Sequence, residues 1–256
     1  MNVEESEGIH TITLNRPERR NALSLPLIRD LIQALEDAER CCCGALLITG
    51  AGSAFCSGMD LDDLQAGGGG EESSTGLQAF LLLMRRLYDF SKPTIAAVNG
   101  PALAGGSGLA MQCDFTLAAD RAKFGYTEVR IGFIPAVVSV FLVSMIGEKR
   151  ARGLLLSGRI FTSKEALDLG LITEVTSETE LISRSRSLAA SLLRNSPEAM
   201  RSMKQLLNDF SRTRLDAELR QAIEQGQKLR AHPDFHEGIR AFLEKRDPVW
   251  PSRRRQ

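Results

Sequence analysis

The chain of 256 residues has no net charge, because its 32 basic and 32 acidic side chains cancel. A surface without excess charge of either sign has no general attraction for nucleic-acid phosphates or for an anionic membrane. It also lacks any apolar run near the roughly 20 residues that span a bilayer. The opening Met1-Asn2-Val3-Glu4-Glu5 is acidic and without the hydrophobic stretch of a secretory or transit signal. The expectation is a soluble, cytoplasmic protein with no nucleic-acid and no membrane partner. Histidine is scarce: His10, His232 and His236 stand apart from every glycine-rich segment, and no Ser–His–Asp spacing stands out. Five cysteines, an odd number, fit reduced thiols better than a disulfide framework. Cys41-Cys42-Cys43 invites a metal, but adjacent side chains of an extended segment point to opposite faces and cannot easily surround one ion. No metal is expected.

What the chain does have is two short glycine-rich segments, Phe55-Cys56-Ser57-Gly58-Met59-Asp60-Leu61 and Asn99-Gly100-Pro101-Ala102-Leu103-Ala104-Gly105-Gly106-Ser107-Gly108-Leu109. Each follows a run that reads as a buried strand, Ala45–Thr49 and Thr94–Val98, and leads into a helical stretch. Glycine turns the backbone where a side chain would clash and leaves amide N–H groups open to a ligand. Two such turns at adjacent strand ends aim two donors at one point, the arrangement that holds a developing oxyanion. Read separately, each is an ordinary strand-to-helix connection.

Period-two alternation marks a strand over Gly8–Leu14, and Ser24 caps a helix carrying Pro26 in its first turn and Leu27, Leu31, Ala34, Leu35 and Ala38 on its apolar face. Gln65–Ser74 reads as a flap or as a tolerated surface insertion. A helix over about 76–90 and a buried strand at Asp114–Ala118 follow. Strand, turn and helix alternate to about Thr176, which gives an α/β fold with mainly parallel pairing. Beyond it, Leu181–Leu193, Pro197–Phe210, Leu215–Leu229 and Pro233–Glu244 carry helical periodicity. The expected division is a core over 1–195 and a helical region over 196–256. Apolar positions of that region (Met200, Met203, Leu206, Leu207, Phe210) bury against the core or against another subunit.

In this order the motifs resemble the crotonase superfamily, the enoyl-CoA hydratase/isomerase family. They comprise Asn15-Arg16-Pro17 with Asn21-Ala22-Leu23, the Phe55–Leu61 segment, Lys92–Gly100, Ala104-Gly105-Gly106, Cys113-Asp114, Phe124-Gly125-Tyr126-Thr127-Glu128, Gly132-Phe133-Ile134-Pro135 and Phe242–Arg246. The resemblance implies an α/β spiral of ββα units with a C-terminal helical trimerisation region, assembled as a homotrimer or a dimer of trimers. It implies an acyl-CoA thioester substrate and no cofactor, coenzyme A being part of the substrate. The amides of Met59 and Gly105 would bind the thioester oxygen, and Glu128 would be the acid/base. Arg20, Ser57, Gly58, Asp60, Leu61, Gly106 and Pro135 would contact CoA or the acyl group, though Arg20 also reads as an exposed arginine and Asp60 as a helix cap.

Hydratases of the family position water with two glutamates, and here the earlier position is Gly108. The resemblance thus implies a hydratase-type lyase working through an oxyanion-stabilised enolate. An isomerase converting 3-enoyl- to 2-enoyl-CoA with Glu128 alone is the alternative, and a non-catalytic acyl-CoA-binding protein is a third reading.

Overall fold

A computed structural model describes residues 1–66 and 71–254. The flap or insertion expected over Gln65–Ser74 centres on residues 67–70, outside that range. The chain opens with an antiparallel hairpin, β1 (Asn2–Ser6) and β2 (Ile9–Leu14), followed by helix α1 (Leu25–Arg40) and strand β3 (Ala45–Gly50). Ser24 caps α1 by accepting a bond from the Leu27 amide at 3.4 Å. The apolar stripe read from the sequence is the buried face of this helix, joined by Ile28.

Helices α2 (Leu61–Ala66) and α3 (Glu71–Tyr88) lead to β4 (Thr94–Val98), β5 (Ala102–Leu103), α4 (Gly105–Met111), β6 (Phe115–Ala119) and β7 (Lys123–Gly125). Then come α5 (Ala136–Ile146), α6 (Glu148–Ser157), β8 (Ile160–Thr162), α7 (Ser163–Asp168) and β9 (Glu174–Thr176). The main sheet has the order β1-β2-β3-β4-β6-β9, parallel throughout except for the opening hairpin, and β5-β7-β8 form a second, smaller sheet. β4 is buried along its whole length. Its alternate residues feed two cores: Ala96 and Val98 pack on the side of α1 and α3, while Ile95 and Ala97 face Leu181 and Ala189.

Helix α8 (Leu181–Leu192) carries those two residues, and α9 (Pro197–Arg230) and α10 (Pro233–Leu243) follow it. The sequence suggested two helices where α9 is a single one of 34 residues. Ser211-Arg212-Thr213-Arg214 between them contains neither glycine nor proline, so nothing stops propagation. Ser196, at the expected division, is its N-cap. Leu215 and Leu219 of α9 bury in the core, but Met203, Leu206, Leu207 and Phe210 stay exposed, Phe210 at 75%. Among the described residues no helix is long and apolar enough to cross a membrane.

Candidate active site

The two glycine segments meet. Leu103 N–H donates to Cys56 O at 2.9 Å, the amides of Phe55 and Cys56 reach Pro101 O at 3.1 and 3.2 Å, and Cys56 pairs with Ala102 as an isolated parallel bridge. Closeness on this scale requires glycine. A β-carbon on Gly106 would overlap the Cys56 carbonyl, and one on Gly58, where φ is +94°, would lie 3.2 Å from the Gly105 nitrogen. Gly58 and Gly106 therefore build the junction, and neither is among the residues that line the cavity it borders.

Two amides are left over. Among the described residues, neither the Met59 nor the Gly105 N–H donates to a protein acceptor. Gly105 opens α4, where first-turn amides are unpaired by construction. The residue before it, Ala104, is held at φ 52° and ψ −127°, a conformation that costs a non-glycine residue about 1–3 kcal/mol. Its amide is fixed by Gly125 O at 2.7 Å, and buried Ser107 ties the same strand by donating to Ala102 O at 2.6 Å and accepting from Gly125 N–H at 3.1 Å. The surrounding bonds thus hold the Gly105 amide in a strained orientation.

A third strip completes the first turn. Leu23 N–H donates to Gly58 O (2.8 Å), Ser57 N–H to Arg20 O (3.0 Å) and Asp60 N–H to Leu23 O (3.0 Å). Buried Asn21 reaches from this strip to Ala51 O (2.9 Å) and Ala54 O (2.8 Å). Asp60 accepts from Arg16 at 3.0 Å, from Arg19 at 3.1 Å and from the Asp62 amide at 3.2 Å. Its carboxylate is therefore occupied as a cap and anchor. Arg16, Arg19 and Asn21 were missed as positioning residues, although the Asn15–Leu23 motif contained all three.

The junction opens on a cavity of about 470 Å³. Of the sequence candidates, Arg20, Ser57, Met59, Asp60, Leu61, Gly105, Glu128 and Pro135 border it. Arg20, in the left-handed region at φ 50°, is exposed, with no side-chain partner among the described residues. Its apolar wall includes Phe133 and Val138, the latter within the Ile134–Ser139 stretch that the sequence marks as a rigid, apolar pocket wall, together with Phe80 and Phe242, which were not foreseen. Phe80 lies on α3 and Phe242 on α10, far apart in the chain, so no local pattern announces them.

Glu128 begins a 3-10 turn, Glu128–Ile131, and is 9% exposed. Burial pushes its carboxyl up to about 7, opposed only weakly by its own backbone amide, and Oε2 has no hydrogen-bond partner among the described residues. Tyr126 offers it no bond, since that hydroxyl is turned to Met111 Sδ at 2.7 Å, and burial raises the phenol's pKa as well. The cavity therefore contains a buried carboxyl able to gain or lose a proton near neutrality. A β-carbon built on Gly108 would fall 2.5 Å from Val138 Cγ2, and Val138 lines the same cavity as Glu128. The place where a second acid would project is filled by hydrocarbon.

The enoyl-CoA hydratase/isomerase family model matches residues 4–253. The chain belongs to this family. It is 41% identical over 247 residues to a Thermus thermophilus protein provisionally named enoyl-CoA hydratase, a match covering 95% of this chain and 98% of the relative. It is 34% identical to the 1,2-epoxyphenylacetyl-CoA isomerase of Escherichia coli K12, over 94% of each chain. The crystal structure of an enoyl-CoA hydratase/isomerase from Xanthobacter autotrophicus Py2 superposes with a TM-score of 0.88 at 31% identity, covering 96% of both chains. The α/β architecture with its C-terminal helices is thus the crotonase fold. Family members named as hydratases and as an isomerase share it.

Proposed function

We propose that the protein catalyses proton-transfer chemistry on an enoyl-CoA thioester with Glu128 as its single acid/base, and that double-bond migration from 3-enoyl- to 2-enoyl-CoA is the reaction the cavity suits best. The observation behind this is the pairing of an unpartnered, buried Glu128 with Val138 packed against Gly108. Glu128 as carboxylate takes a proton from C2 of the substrate. The electron pair of that C–H bond moves into the C1–C2 bond, and charge collects on the thioester oxygen, where the Met59 and Gly105 amides stabilise it more than they stabilise the ground state. The resulting carboxylic acid returns the same proton to C4 as the C2–C3 double bond forms, and the carboxylate is restored. No water, metal or redox partner enters the balance. Arg20 and the backbone around Ser57 face the CoA end, with Leu61 and Pro135 along the acyl path.

Hydration of a 2-enoyl-CoA by Glu128 alone is the second reading, favoured by the hydratase name of the Thermus relative. Offering crotonyl-CoA and a 3-enoyl-CoA to the purified protein separates the two. Turnover of the 3-enoyl substrate at enzymatic rates, with hydration at least ten-fold slower, is the expected result. Hydration as the faster reaction overturns the isomerase reading, and binding without turnover of either overturns catalysis altogether.

The exposed stripe of Met203, Leu206, Leu207 and Phe210 supports assembly as a trimer or paired trimers, since a contiguous apolar face of this kind marks a contact surface. Phe210→Glu combined with Leu206→Glu is expected to reduce the mass in solution, measured by light scattering, to that of one chain. An unchanged mass would place the contact elsewhere.

A further inference from the structure

The cysteine run at the end of α1 folds differently from the expectation for three adjacent side chains. Cys42 is exposed, whereas Cys41 and Cys43, two residues apart, turn to the same side. They meet two residues from the opening hairpin. Glu5 and His10 are register partners across β1 and β2, and Gly44 N–H donates to Gly8 O at 2.8 Å, which pins the cysteine loop onto the hairpin turn. One donor atom from each of Glu5, His10, Cys41 and Cys43 lies within 4.8 Å of the other three. His10 Nδ1 is 3.0 Å from Glu5 Oε1 and 3.8 Å from Cys41 Sγ. His10 is almost wholly buried and its Nε2 has no partner, so Nδ1 is the nitrogen turned to the cluster.

The geometry points to a structural site for zinc, or a similar thiophilic divalent ion, held by Cys41, Cys43, His10 and Glu5. A tetrahedral ion with bonds of about 2.0–2.3 Å spaces its ligand atoms at about 3.3–3.8 Å, so the donors need shift by no more than about an ångström. Two sulfurs and an imidazole select zinc over the oxygen-preferring magnesium or calcium. Binding releases both thiol protons to solvent, and two thiolates with one carboxylate leave the occupied site with one net negative charge. Lys92 answers that charge: its Nζ donates to Cys41 O at 2.9 Å and to Ala38 O at 2.5 Å. The cluster lies where β2 and β3 begin, and the Glu128 cavity lies beyond the ends of β3 and β4. With four protein ligands and no open position, the ion clamps the N-terminal hairpin to the end of α1 and takes no part in turnover.

The test uses the full chain, reduced and stripped of metal with a chelator, then titrated with Co²⁺ and afterwards with Zn²⁺. Expected are a thiolate-to-cobalt charge-transfer band saturating at one equivalent, its loss on zinc addition, release of about two protons, and a Tm higher by at least about 3 °C. Turnover of the 3-enoyl-CoA is unchanged. Cys41→Ser, at a half-exposed position that tolerates the change, weakens binding more than about 100-fold, beyond the 10–100-fold typical of changes outside the ligand shell. No saturating band in the wild type overturns the site, as does equal affinity in the Cys41→Ser/Cys43→Ser protein. So does native mass spectrometry showing a chain two hydrogens lighter and metal-free, the signature of a Cys41–Cys43 disulfide.

Discussion

Glu128→Gln lowers kcat on a 3-enoyl-CoA by about 10²–10⁴-fold, the usual contribution of a positioned acid/base, with KM changed less than about three-fold. The amide has the shape of the carboxyl but can neither take the C2 proton nor return it. In the wild type, kcat/KM rises with pH through about 7, because the carboxylate is the form that starts the reaction and burial makes it the minor form below neutrality. The variant loses that limb. Stability carries the opposite dependence. The folded protein holds the Glu128 proton more tightly than the unfolded chain, whose ordinary value is 4.5. This contribution is therefore complete below pH 4.5 and is lost as pH rises through about 7, amounting to about 3 kcal/mol. Thermal unfolding followed from pH 5 to pH 8 should show that component in the wild type and not in Glu128→Gln. Equal kcat in the two proteins would remove Glu128 from the chemistry. An unaltered pH profile would assign the ionisation to another group.

Gly108→Glu alone is expected to destabilise the protein. The new side chain starts 2.5 Å from Val138 Cγ2 inside a buried helix. Overpacking costs about 1–3 kcal/mol, before the penalty of a second buried carboxyl. A Tm fall of several degrees should follow. Gly108→Glu with Val138→Ala removes the obstructing methyl groups and recovers part of that loss. The double variant then has two acids facing one chamber, and crotonyl-CoA hydration rises by about 10²–10⁴-fold over the wild type. If the single variant hydrates crotonyl-CoA as fast as the double, with no loss of stability, Val138 is not the obstruction. If the double variant folds and gains no hydration, the absent second acid is not what separates this protein from two-glutamate hydratases.

Much of this was legible because it is local. The stripe Leu27–Ala38, the strand Thr94–Val98 and the two glycine segments each have a pattern within a dozen residues, and hard constraints on backbone room place Gly58, Gly100 and Gly106 where they are. Glu128 and Gly108 could be compared because motif order fixes their positions. Other features depend on contacts between distant residues. Phe80, Phe133 and Phe242 reach the cavity from three elements that the sequence does not connect. The meeting of Cys41 and Cys43 with His10 depends on how a hairpin seats on a helix end. The continuity of α9 through residues 211–214 was missed because a polar stretch looks like a break, although only backbone-disrupting residues make one.

Phe242 on α10 borders the cavity, and Phe235 on the same helix packs at a tilt against Phe133 with ring centroids 5.2 Å apart. Synthesis runs from the N-terminus, so the ribosome makes both glycine turns and Glu128 more than a hundred residues before it makes these rings. A nascent chain stalled before residue 233 therefore has its reactive groups but an unfinished wall for the ligand. Competence to hold substrate arrives only as the final helix docks.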